Sequence, residues 1–447
     1  MENVFSSDYF DKSFNKSIPI DEGIELSNES KQQDININNS KYSLAPFKEF
    51  ELQKLIRKLF KRTEQLNYGG IAKHPDFQEL ISNGLTKKQY TCAIFLDIKG
   101  STRLSLFYNL DFIFKFKNAV IQTCIETIRA FDGYVHRIMG DAVLGFFGSS
   151  KISKEQAIID ALNCCITLRL ILEKSIKPWL EKRKEGFNAA DFGFRIGCNF
   201  GNDEEILWGN YGFRDIGEIS PTGLPVDLTA KLQALANKNE IMIGQGIIDF
   251  ISWPDDFSKI KTVQKNLKEE ECPYIEPNYE NINGHKLNYK MRILDYDKCL
   301  EVLPFDTHFK DNVIRIPRIK NNPNIRYQCF YKDKITGKFT RYISNSSFLA
   351  KNIDLEFKVT ATISSTLKYP LTITYTKKNT GVNTPQEERD PIIRRFTLNK
   401  KTSTCNSYAE HILKESTLYR GIHTMSCEIR DIDNNVVFYD VISVLIL

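Results

Sequence analysis

Long apolar runs are missing from this 447-residue sequence, and none approaches the roughly 18–20 residues that a bilayer-spanning helix needs. No secretory leader is expected from the polar opening residues. The ten cysteines are scattered with no C-x-x-C pair, so a reduced cytoplasmic protein with free thiols is expected. Cys164-Cys165 lies inside an apolar helical pattern and reads as packing. An excess of one charge sign is absent too. The 61 basic and 56 acidic residues leave +5, too little over this length to expect nucleic acid or a membrane as partner. What the chain does have is length for two or more domains and 41% hydrophobic residues to build them.

Residues 1–45 are rich in Asn, Ser, Asp, Glu and Lys, and 27–41 have almost nothing to bury, so a flexible segment is expected. A helical lead-in over 46–88 begins with an apolar stripe from Phe47 to Phe60, suited to packing on its own domain or to dimerisation. From residue 89 to 252 strand and helix patterns alternate. They run as a strand over 91–97, a helix over 103–130, a hairpin over 134–147, a helix over 153–184 and a strand over 192–201. A short strand pair near 205–220, a helix over 225–236 and a strand at 241–243 follow. This is a βαββαβ order, which predicts an α+β, ferredoxin-like domain with helices on one face of an antiparallel sheet. Residues 253–310 are polar and proline-broken and read as a connector with one strand at 289–294. Residues 311–447 carry strand patterns at 325–331, 339–343, 355–363, 371–375, 393–398, 423–430 and 436–447, with turn residues between them, and predict a small all-β sandwich with no cluster of chemical groups.

Two acids interrupt the buried-strand patterns. Asp97 ends Tyr90–Leu96, and Gly140-Asp141 divides the hairpin. Singly, each has a structural explanation, a helix N-cap for Asp97 and a turn for Asp141. Together, in a βαββ unit, the end of the first strand and the hairpin turn share one sheet edge, where two carboxylates can hold a divalent cation. Lys99-Gly100-Ser101-Thr102 then opens a helix whose free amides suit a triphosphate. Metal beside a phosphate cradle is the layout of phosphoryl or nucleotidyl transfer.

Phe95–Thr102, Arg137–Phe147 and Gly223–Leu232 resemble, in order, three motifs of the class III nucleotidyl cyclases, a likeness that covers about residues 88–250. The resemblance implies Asp97 and Asp141, with the Ile98 carbonyl, as ligands of two divalent ions, Mn²⁺ or Mg²⁺. It implies attack of a nucleoside triphosphate's 3′-hydroxyl on its own α-phosphorus. It also implies a homodimer in which Asp227 and Lys231 complete the partner's site. Adenylate cyclases of the family commonly carry Lys, Asn and Arg where Arg137, Asp227 and Lys231 stand. Glu218 falls at the second base-reading position, and Tyr90 is either a base-pocket wall or core.

These departures make the chain more similar to the bacterial pyrimidine cyclases of the Pycsar antiphage system, some of which end in a β-rich sensor domain. That implies cyclic UMP or cyclic CMP read by a separate effector, with UTP slightly favoured. A purine cyclase, a catalytically dead nucleotide-binding module and a polymerase palm are the competing readings. Two retained acids and the weak net charge count against the last two.

Overall fold

The computed structural model describes residues 5–16, 50–183, 188–213, 216–265, 268–364, 366–400 and 408–447. The low-complexity run 27–41 lies outside these residues. Helix α1 (Ser7–Lys16) corrects the expectation that everything before residue 46 is flexible. Phe10 and Phe14, four residues apart, put two rings on one face, and both are buried against Phe112, Phe116 and Trp179. The Trp179 indole donates to Asp11 at 2.8 Å. Helix α2 (Glu51–Leu59) directs Leu52 and Ile56 into its own domain's core, and its Arg57 reaches Ala130 and Asp132. The stripe that suited dimerisation is therefore covered within the chain.

Strand β1 (Thr91–Lys99) is central to the main sheet. Ile94, Leu96 and Ile98 face a core shared with α3 (Leu110–Ala130) and α4 (Lys154–Ile171), while Ala93 faces a separate cluster with Phe146 and Trp208. The expected helix over 103–130 is broken. A single turn, Ser101–Leu104, is followed by a second start at Asn109, whose side chain accepts the Phe112 amide. The hairpin β2 (Tyr134–Met139) and β3 (Ala142–Phe147) turns at Gly140 with φ 64°. Helix α4 is buried on nearly every side and leads to β4 (Gly193–Gly201).

The order β2-β3-β1-β4, all antiparallel, is the expected ferredoxin-like unit with α3 and α4 on one face. Beyond it come the hairpin β5 (Leu207–Gly212) and β6 (Gly217–Thr222), helix α5 (Leu224–Leu235) and β7 (Ile241–Gly244), which runs parallel to β4. Helix α5 departs from the one-face expectation. Its Thr229 and Gln233 backbone lies so close over Gly197 that a side chain at 197 would overlap it, on the face bearing Phe95 and Asp97.

The stretch read as a connector also completes this sheet, through β8 (Ser258–Lys259) and β9 (Met291–Leu294), the latter paired with β7. Its strands are short and one hairpin, Lys261–Cys272, is polar, so the pattern is weak in sequence.

The C-terminal β-sandwich packs β11-β10-β13-β16 against β12-β18-β17-β14-β15. These are β10 (Ile325–Lys332), β11 (Phe339–Tyr342), β12 (Phe348–Leu349), β13 (Asp354–Thr362), β14 (Leu371–Lys378), β15 (Ile392–Leu398), β16 (Tyr408–Ser416), β17 (Gly421–Arg430) and β18 (Val436–Ile446). Strand β16 has no counterpart among the segments the sequence marks as strands. The sandwich is joined to the cyclase-like core, whose main cluster extends into Ile422, Val441 and Leu445. At this junction Asn163 of α4 and Asn345 exchange two buried hydrogen bonds of 2.9 Å, and Arg420 pairs with Glu155 at 2.8 Å.

Candidate active site

Antiparallel register brings the two acids together. Asp97 stands directly across the ladder from Ala142, the residue after Asp141. The ladder to β3 stops there, whereas that to β4 continues to Lys99–Gly193. The β1 edge that faces the hairpin turn is therefore unpaired just where the Ile98 backbone lies. Asp97 and Asp141 are both partly exposed beside it. Among the described residues no group of three or more His, Cys, Asp or Glu is arranged to hold a metal. A cation at this edge would rest on the two carboxylates and the Ile98 carbonyl, hard oxygen donors that leave positions for phosphate oxygens and water. The donor set fits Mg²⁺ or Mn²⁺.

Each acid already has a cationic or hydroxyl neighbour. Arg195, across from Asp97 on β4, donates to its Oδ2 through Nε at 3.0 Å and through Nη2. Gln233 of α5 adds a third donor at 3.3 Å. The Ser101 hydroxyl donates to Asp141, and the Lys117 ammonium is 3.9 Å away. Arg195 was not marked by its sequence neighbourhood, where it is one residue in a strand. Only the cross-strand register shows that it faces Asp97.

The Lys99–Thr102 segment keeps its expected place but opens one helical turn and not a long helix. Gly100 has φ 93°, and a Cβ there would lie 2.6 Å from the Asp191 carbonyl oxygen, so only glycine fits. The turn leaves its first amides without intrahelical acceptors next to the acids. Lys99 and Thr102 are exposed, and Ser101 is buried.

The two expected base-side residues also meet. The Arg137 guanidinium, on β2, pairs with the Glu218 carboxylate on β6. Behind them His136, the extra residue of a β-bulge, is buried with its ring 3.3 Å from the Ser220 hydroxyl. Burial first, then the neighbouring Arg137 charge, lowers its pKa to about 4. Tyr90 is core. Its hydroxyl donates to the carbonyls of Ser149 and Ile152, and burial raises its pKa to about 12.

Asp227 and Lys231, one turn apart on α5, are not brought to the acids of their own chain. That helix turns Thr229 and Gln233 towards the sheet, and Asp227 is exposed. Neither side chain has an ion pair among the described residues. The helix is fixed by Asn199, which donates to the Pro225 carbonyl and to the Tyr289 hydroxyl, both at 2.9 Å.

Residues 306–447 match the family model of the "Adenylyl/Guanylyl and SMODS C-terminal sensor domain". A cytidylate cyclase of Escherichia coli is 37% identical over 420 residues, covering 89% of this chain and 88% of that protein. A cytidylate cyclase of Staphylococcus aureus is 32% identical over 419 residues, covering 92% of this chain and 90% of that protein. The solved adenylyl cyclase CyaB of P. aeruginosa aligns with 47% of this chain and 95% of its own, at 18% identity and a TM-score of 0.37. These relatives give no support to the leaning towards UTP. Among the described residues no helix is long and apolar enough to cross a membrane. With two cyclase motifs on one sheet, the third on the helix packed over it, and relatives of this identity along most of its length, the chain belongs to the class III nucleotidyl cyclases, as a pyrimidine nucleotide cyclase with a C-terminal sensor domain.

Proposed function

We propose that the protein is a cytidylate cyclase that converts CTP to 3′,5′-cyclic CMP and pyrophosphate. The observation that carries this is the identity, along most of the chain, to two proteins named cytidylate cyclases. In the reaction the 3′-oxygen bonds to the α-phosphorus and the bond from that phosphorus to the bridging oxygen breaks. Pyrophosphate leaves, and the 3′-hydroxyl proton passes to solvent. Divalent ions, when bound, neutralise the triphosphate and acidify the hydroxyl. Asp97, Asp141 and the Ile98 carbonyl would hold two of them. The amides of Lys99–Thr102 orient the β- and γ-phosphates, while the Ser101 hydroxyl holds Asp141 in place beneath them. Glu218 accepts from the exocyclic amine of cytosine, where uracil offers a carbonyl oxygen that a carboxylate repels. Arg137 holds Glu218 in place and donates to the base.

Asp227 accepts from the ribose, and Lys231 places a point charge on the transferring phosphate from the partner subunit. Exposed apolar residues near the site support a homodimer. Leu106 is 80% exposed, Leu110 84% and Phe213 81%. The product is a second messenger of antiphage defence, read by a separate effector protein. Incubation of the full chain with each of the four NTPs and Mn²⁺, followed by product identification, tests the base. Cyclic CMP as the main product is expected, and cyclic UMP alone would overturn the assignment.

A further inference from the structure

Between the strap Pro304–Lys310 and strands β10, β11 and β18 of the C-terminal sandwich lies a cleft of about 500 Å³, which shares no lining residue with the paired-acid site and is within the size range of small-molecule sites. Its wall includes β10 and β11, where Arg326, Gln328 and Arg341 stand beside the buried Tyr327, Cys329 and Tyr342. Arg326 and Arg341 have neither an ion pair nor a hydrogen bond among the described residues. Most other arginines of the chain, such as Arg394, Arg420 and Arg430, are engaged with carboxylates. At the rim the His308 Nδ1 accepts from the Asn312 and Asn321 amides at 3.1 and 3.4 Å, which leaves its Nε2–H to donate.

The floor is preorganised. Lys310, 1% exposed, donates to Asp440 at 2.8 Å, and the Thr307 hydroxyl donates to the other oxygen of that carboxylate at 2.6 Å. This pair ties the strap to β18 and cancels the one buried acid of the cleft. The field inside is then set by the two free guanidinium groups, with Asp306 exposed and engaged in accepting the Phe309 amide.

We propose that this cleft is the ligand site of the C-terminal domain and takes a phosphate-bearing small molecule of about nucleotide size, held by Arg326 and Arg341. The site has a short path to the catalytic domain. Four residues beyond Arg341, Asn345 makes its paired bonds to Asn163 of α4, the helix packed beneath β1 and Asp97. The intervening Ser344 lines the cleft, donates to the Val302 carbonyl at 2.6 Å and accepts the Ser443 amide of β18. An anion that draws the two arginines together therefore pulls on the loop after β11 that holds α4.

The test uses the full chain in EDTA, where triphosphate sites that depend on divalent ions are weak. Inorganic pyrophosphate is the first probe, with sodium chloride at matched ionic strength as control, and cyclic CMP distinguishes feedback by the enzyme's own product from a foreign ligand. Hydrogen exchange should show protection over residues 321–329 and 339–345. Arg326→Gln/Arg341→Gln should weaken pyrophosphate binding by at least about tenfold while leaving the melting temperature unchanged, because neither side chain has a partner to lose. Protection that is absent, that chloride reproduces, or that persists in the double variant would overturn the proposal.

Discussion

Replacing Arg195 with Met removes the guanidinium held against Asp97 but keeps most of the side chain's apolar bulk. Two of its nitrogens donate to a single oxygen of Asp97, and the two side chains are 29% and 17% exposed. A hydrogen bond between charged partners contributes about 1.5–3 kcal/mol, and screening at this exposure lowers that to about 1–2 kcal/mol. The metal-free variant should be less stable by that amount. A divalent ion that binds Asp97 competes with Arg195 for the same lone pairs. The variant should therefore bind Mn²⁺ more tightly, by about five- to thirtyfold, which is the same free energy seen from the other side. The two effects are separable in one assay, thermal unfolding in EDTA and then along a Mn²⁺ titration. Arg195→Met should melt lower than wild type in EDTA and gain more from each increment of Mn²⁺. A variant that melts like wild type in EDTA and gains no more from Mn²⁺ would refute the claim that Arg195 occupies a metal ligand.

The cross-subunit site predicts complementation: Asp97→Ala and Lys231→Ala homodimers should each be inactive, and subunit exchange should restore about a quarter of wild-type activity through one intact site per mixed dimer. No recovery on mixing, with exchange verified by differently tagged subunits, would place Asp97 and Lys231 in one chain's site. Asn163→Ala strands the Asn345 amide at the domain junction and should cost about 1–3 kcal/mol in chemical denaturation, whereas Asn163→Ala/Asn345→Ala should cost less than the sum of the single changes. His136, buried with its pKa lowered to about 4, is held neutral in the fold. Its contribution is present above pH 6.5 and is lost as pH falls towards 4, amounting to about 3 kcal/mol at the acid end. Melting curves of His136→Gln between those pH values should be flatter than wild type, and curves parallel to wild type would count against the assignment.

The catalytic half of the chain was legible because its chemistry interrupts regular patterns. An acid after seven strand residues, and a Gly-Asp inside a hairpin, are visible in one dimension. Arg195 was not visible, because its significance is a cross-strand distance and its own strand is unexceptional. The polar composition of the first 45 residues hid α1, whose case rests on a few aromatic residues, Phe10 and Phe14 among them. Strand β16 was missed for a related reason. Only Ala409 and Leu413 of it are buried, so its alternation is faint, and its place comes from pairing with β13 along all nine residues. The break at residues 105–109 escaped because the apolar residues on either side, Leu104 and Phe112, stay in helical phase.

The reciprocal amide pair at the domain junction has a consequence for how such proteins diversify. The Asn163 carboxamide donates to the backbone carbonyl of Asn345 and accepts from the Asn345 carboxamide, both at 2.9 Å, in a place closed to water. A sensor domain transplanted from a distant homologue satisfies that junction only if it brings a matching amide at the same depth. Exchange of the C-terminal module between lineages is thus biased towards donors that carry the match. The catalytic helix and the sandwich loop should be inherited as a unit even where the surfaces around them drift.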